Sequence, residues 1–173
     1  MQIKETITGT EPITATEAKN WLKVDFTTDD TLIGMLITGV REEAEKYTGL
    51  SLVAKTIEYF DEEITTESVK LPYPEHLSIE EVKLNGIVST AYVKTGLSQF
   101  IITVTDITTT SSAINDAGLY VKYKCTGTCP TGLKALMLKE IDEQYRNRGN
   151  TFSGSIVDLS ANFYASAAKF CLM

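Results

Sequence analysis

Residues 12–52 read PITATEAKNWLKVDFTTDDTLIGMLITGVREEAEKYTGLSL, and this stretch decides the fold of the first third of the chain. Ile13-Thr14-Ala15-Thr16-Glu17 is a capping box: the Thr14 hydroxyl can accept from the backbone N–H of Glu17, and the Glu17 carboxylate can reach back to the N–H of Thr14. The helix that follows is predicted to place Ala18, Trp21 and Leu22 on one face. Thr27, Thr28 and Asp29 offer a second N-cap, with Asp29 and Asp30 suited to the positive end of a helix dipole. Leu32, Ile33, Leu36, Ile37, Val40, Ala44 and Tyr47 then recur at three- and four-residue spacing, one apolar stripe of a long helix. Arg41, Glu42, Glu43, Glu45 and Lys46 fall mostly off that stripe, and Gly49 suits a left-handed helix end.

Working outward, the helical period gives way to strand-like segments. Residues 53–60 (VAKTIEYF) and 69–71 read as strands, the latter stopped by Pro72 and Pro74. Ile79 to Leu84, Asn85-Gly86 and Ile87 to Val93 read as a hairpin on a type I′ turn. Residues 99–105 are a further strand, 106–118 (DITTTSSAINDAG) a polar loop, and 119–125 the last strand. Its odd positions, 119 to 125, form the less polar face, which makes Cys125 a small buried strand residue. The helical period returns from Pro130-Thr131 to Arg148, with Leu133, Met137, Ile141 and Tyr145 four apart. After Gly149 and a Ser/Gly-containing connection, the tail carries Ile156, Leu159, Phe163, Ala167 and Phe170 at helical spacing. The expected class is α+β: an N-terminal helical pair, a central antiparallel β meander, a long C-terminal helix and a terminal tail segment. Residues 1–150 are expected as one domain and 151–173 as a separable tail.

The chain has 173 residues, enough for a sizeable core, with the apolar and charged content of an ordinary globular protein. The first residues, MQIKETITGTEP, lack the apolar core of a signal peptide, and no run is long enough to span a bilayer. The net charge is −7, and residues 1–63 carry 13 acids against 6 bases while the remainder carries 10 of each. That distribution argues against a conventional nucleic-acid binder, which needs a basic face. It permits a surface past which DNA slides, and it equally suits a plain solvated helix face.

No constellation favours catalysis. Cys125-Thr-Gly-Thr-Cys129 resembles a metal knuckle only loosely; the three cysteines and His76 would all have to converge to hold zinc. Cys129 with His76 is a nucleophile pair of no better support, and Asp25, Asp29 and Asp30 lack the ligand spacing of a calcium loop. Gly127 and Gly132, flanking Cys129 and Pro130, suit a turn. No Walker-type loop, G-x-G-x-x-G or G-x-S-x-G occurs. No enzyme activity, cofactor or metal is expected.

Four segments carry a family resemblance. They are ITATEAKNWLKVD (13–25) followed by DDTLI (29–33); AEKYTG (44–49), with Leu50 where a basic residue is usual; VKLPYP (69–74) leading to Ile79 and Val82; and Pro130, Leu133 and Ala135 with YRNR at 145–148. In this order and spacing, over residues 12–150, the chain resembles the gp6-like head-tail connector (head-completion adaptor) proteins of tailed phages. The resemblance implies a structural virion protein at the head-tail interface, assembled in the host cytoplasm. It implies a dodecameric ring beneath the portal that extends the DNA channel. Its implied partners are further copies of itself, the portal protein, and a stopper or tail-completion protein, with DNA passing unbound. The C-terminal segment of such proteins tends to engage the portal, and the matching candidates here are Leu159, Phe163, Tyr164 and Phe170. The rival readings are a monomeric α+β protein-binding module and an enzyme built on Cys129 and His76.

Overall fold

The computed structural model describes residues 1–62, 68–73, 78–90, 92–95, 101–104, 118–147 and 159–171. The elements in chain order are β1 (Gln2–Ile7), α1 (Ala15–Leu22), α2 (Asp30–Thr48), β2 (Lys55–Asp61), β3 (Ser68–Lys70), β4 (Ser78–Leu84), β5 (Ile87–Val88), β6 (Tyr92–Thr95), β7 (Ile101–Val104), β8 (Leu119–Cys125), α3 (Thr131–Asn147) and α4 (Leu159–Ala167), with a 3-10 turn at Ala168–Phe170. The α+β class stands. The chain divides into two compact units: a helical one of Thr10–Leu52 with Thr128–Leu172, and a β one of Met1–Gly9 with Val53–Gly127.

In the helical unit the capping box forms as its spacing dictates. Thr14 Oγ1 accepts from the Glu17 N–H at 3.2 Å, and Glu17 Oε2 accepts from the Thr14 N–H at 2.9 Å. Lys134 of α3 donates to the other Glu17 oxygen at 2.7 Å, and this bond is the main cause holding the Glu17 carboxyl down to about 2. The stripe of α2 is buried at Ile33, Ile37, Val40 and Ala44, whereas Leu36 packs from the margin and Tyr47 is exposed. These residues share one core with Ile13, Ala18 and Leu22, with Leu133, Met137 and Ile141 of α3, and with Phe163 and Ala167 of α4. Gly49 closes α2 in the left-handed region, at φ 73°.

Two expectations for α2 are corrected. Asp29 stands at the N-cap position but makes no capping bond with its side chain; it accepts instead from the Tyr145 hydroxyl of α3 at 2.5 Å. Arg41 and Glu45, expected off the apolar stripe, are buried. The Arg41 guanidinium donates to Glu45 at 2.7 Å, to Glu11 at 2.9 Å and to Glu42 at 3.2 Å, while Glu45 also accepts the Leu52 N–H at 2.7 Å. One buried cation thus joins the chain before α1, the body of α2 and the segment leaving it.

The β unit holds a five-stranded antiparallel sheet in the order β1-β2-β8-β4-β5 and a three-stranded sheet in the order β3-β7-β6. The strands are antiparallel as expected but do not follow chain order: β8 lies between β2 and β4. Leu119, Val121, Tyr123 and Cys125 point into a core with Ile57, Tyr59, Leu71, Val82 and Leu84, as the alternation in 119–125 predicts. The Tyr123 hydroxyl donates to the Pro72 carbonyl at 2.9 Å, and burial pushes its ionisation far up. Asn85 and Gly86 both take positive φ, the I′ hairpin turn. The returning strand is short, however: Ile87 and Val88 pair with β4, the Ser89 N–H donates to the Val82 carbonyl at 2.9 Å, and β6 belongs to the other sheet. β1 is a strand with no local signature, since QIKETI shows neither a clean alternation nor an apolar run. The expected polar loop at 106–118 lies, except for Gly118, outside the described residues.

Candidate partner-binding surface

The tail residues nominated from the sequence sit on α4 and the turn after it. Phe163 is 4% exposed and belongs to the helical core, together with Ala167. Tyr164 and Phe170 are half-buried and pack against that core from its rim. Leu159 starts α4, and its side chain lies outside the described residues. Residues 148–158, which contain the expected boundary at 150 and the connection to the tail, also lie outside them.

The seat of α4 is built from α2 and α3. The Tyr47 ring of α2 lies 4.9 Å from that of Tyr164, tilted by 45°. The Cys171 thiol donates to the Tyr47 carbonyl at 3.5 Å. Gly132, expected to serve a turn, is instead in the first turn of α3. A Cβ there would stand 2.9 Å from Phe170 Cζ, so the missing side chain is what admits the ring. Residues 163–171 pack with the helical unit, and Phe163 fills its core. Tyr47 and Gly132 were not foreseen as the seat. Tyr47 carried a signal in retrospect, as the last residue of the apolar stripe, left exposed at 40% beyond its own packing.

A second surface lies between α1 and α3. Trp21, expected on one face with Ala18 and Leu22, is 45% exposed while those two are buried. It lines an open hollow of about 410 Å³ with Lys139, Asp142, Glu143, Arg146 and Asn147. Arg146 and Asp142 satisfy one another at 2.7 Å. Elsewhere on α3, the Glu140 carboxyl is pushed up, chiefly by burial, against the opposing hydrogen bond from Gln144. The hollow has neither a nucleophile–base pair nor a convergent donor set.

The other sequence candidates separate. Cys125 is buried in β8 and donates to the Tyr73 carbonyl at 3.3 Å; the Cys129 thiol is pushed up by burial. His76 lies outside the described residues, so its pairing with Cys129 does too. Asp30 bonds Lys19 at 2.6 Å and Asp29 bonds Tyr145. Among the described residues no three His, Cys, Asp or Glu side chains group as a metal site would require, and no helix is long and apolar enough to cross a membrane.

The sequence of the phage gp6-like head-tail connector proteins matches residues 12–105, which take in the helical pair and most of the β unit. The chain belongs to that family. It is a structural adaptor of the virion, placed where head meets tail. No curated protein matches the chain. Among solved structures, a chain in the neck of an empty gene transfer agent particle, computed with C6 symmetry, is 11% identical with a TM-score of 0.72. The match covers 98% of this connector and 96% of that chain. A chain in the virion of a native gene transfer agent particle is 9% identical with a TM-score of 0.73, covering 100% and 96%. A third, in the neck of the native particle computed with C12 symmetry, is 11% identical with a TM-score of 0.63, covering 98% and 96%. At these identities the likeness establishes the fold.

Proposed function

We propose that this connector is one subunit of a closed ring, a dodecamer, seated between the portal vertex and a stopper or tail-completion protein. The ring lengthens the DNA channel and performs no catalysis. Residues 1–150 form its body and 151–173 its portal-facing segment, with assembly in the host cytoplasm. The observation that carries this reading is membership of the connector family together with a fold shared, over nearly the full chain, with neck proteins whose particles were computed with C6 and C12 symmetry. The acidic excess supports a channel lining that repels phosphate rather than gripping it.

Leu159, Phe163, Tyr164 and Phe170 are the proposed portal contacts. As α4 lies here, Tyr164 and Phe170 are the two with described, partly accessible rings, and Phe163 becomes available only if α4 leaves its seat. The test is electron microscopy of purified portal rings mixed with the connector. An added ring of density on one portal face is expected, lost when the chain ends at residue 158. A connector that stays monomeric and binds no portal would favour a monomeric binding module instead.

A further inference from the structure

Among the described residues, neither edge of the five-stranded sheet carries a further strand. Every residue of β1 is exposed, and among the described residues no strand pairs with its outer edge. The register sets Ile3 opposite Tyr59, Glu5 opposite Ile57 and Ile7 opposite Lys55. Directly opposed residues share a face of the sheet, and those three β2 residues are all buried. Ile3 and Ile7 therefore lie on the core face where the core has run out, 39% and 48% exposed. At the far edge, Ile87 of β5 stands opposite Leu84, a core residue, and is itself 55% exposed. The six paired residues of β1 contain no proline and no bulge, two of the usual guards of an edge strand.

We propose that these edges meet: β1 of one copy lies along β5 of the next, and Ile3 and Ile7 close over its Ile87, forming a lateral contact of the ring. The inference rests on the ring reading above and names the surface that builds it. Two arguments select a second copy as the occupant. First, the edges are different strands, so the contact is head-to-tail, the kind that closes a cyclic ring. Successive antiparallel pairings make β1 and β5 run in the same direction. A small rotation from copy to copy preserves that direction and the facing of the sheet, so the uncovered isoleucines arrive on one side of the junction. Second, a contact limited by a two-residue strand is too small for the roughly 1,200 Å² that a stable pair buries. It holds only a copy gripped from both sides, which a closed ring supplies and an open dimer does not.

The test uses the full chain, alone and on portal-bearing heads that lack it. Ile87→Cys combined in turn with Ile3→Cys, Glu5→Cys and Ile7→Cys, mildly oxidised, should give, in the combination that is directly opposed, a ladder of covalent multimers on a denaturing gel that ends at the ring. The unsubstituted chain and Ile3→Cys alone, treated alike, should not. Ile3→Lys with Ile7→Lys should abolish the ring species in native mass spectrometry and on heads, while the monomer keeps its melting temperature, since both side chains are already exposed. Rings that form normally with the lysines, or with no ladder from the paired cysteines, overturn the edge assignment and leave the ring reading standing. Cross-linking of the Ile3→Cys strand to a different virion protein overturns it in favour of that protein. Absence of any ring from the unsubstituted chain, alone or on heads, removes both.

Discussion

Replacing Arg41 by Met tests the ion pair at the centre of the helical unit. Arg41 is 1% exposed and Glu45 3%, and the 2.7 Å bond between them is the shortest that Arg41 makes. Met fills a similar volume but removes the cation. The Glu45 carboxylate would then keep the Leu52 N–H and lose its charge partner inside a closed core. Leaving one member of a buried pair uncompensated costs about 3–5 kcal/mol. That is a large share of the ~5–15 kcal/mol by which a domain is stable. At about 4–8 °C per kcal/mol, the helical unit should melt at least 12 °C lower. Adding Glu45→Gln should recover much of the loss, because the Gln carbonyl still accepts from Leu52 while the buried charge is gone. Urea unfolding followed by helical circular dichroism gives the four corners of the cycle, and a coupling of about 2 kcal/mol is expected. A cost below 1 kcal/mol for Arg41→Met, or additive single effects, would refute the description of the pair as buried and mutually dependent.

Val40→Asp places an unpaired carboxylate where Val40 is wholly buried, at a cost of several kcal/mol, and a thermal scan should show the helical transition abolished. Phe163→Ala opens a cavity at the α4 seat and should cost roughly 3 kcal/mol or more; hydrogen exchange should show α4 amides losing protection first, and an unchanged melting temperature would make α4 separable after all. Glu140→Gln should raise the melting temperature at neutral pH, since burial opposes the charged form of the Glu140 carboxyl, and Gln keeps the bond from Gln144. The sign follows from linkage: a folded-state pKa raised above the unfolded one gives stability that is present at low pH and lost as pH rises through it, so the gain should shrink as pH is lowered past the ordinary carboxylate range.

The features legible in the sequence are those fixed by neighbours along the chain. The Thr14–Glu17 box, the Gly49 helix end, the Asn85-Gly86 turn and the alternation from Leu119 to Cys125 each depend on spacings of a few residues, and each formed. What was misread depends on partners far away in sequence. Asp29 looks like a cap until Tyr145, 116 residues on, takes its carboxylate. Arg41 and Glu45 look like solvated charges until Glu11 and the Leu52 N–H are seen beside them. Gly132 looks like a turn residue until the Phe170 ring is found over it. β1 has almost no local signal, because its pairing with β2 is what makes it a strand. At the candidate site the aromatic tail was identifiable by composition, but whether each ring faces inward or outward is settled by the shape of its seat.

That seat constrains how the tail could make the proposed portal contact. Nine residues are too few for a helix to persist alone in water, so α4 takes its structure from the groove it occupies. Leaving the groove would uncover Phe163, Ala167 and the Tyr47 ring together, and a portal that captured the released segment would have to supply a replacement surface for each. Contact made by the outer side of a seated α4 carries no such cost and uses Tyr164 and Phe170, which already have area to give. The two routes differ in a measurable way. Capture of a released helix should make portal affinity rise when Phe163→Ala loosens the seat, whereas contact with the seated helix should make it fall, because the same substitution unravels the surface being recognised.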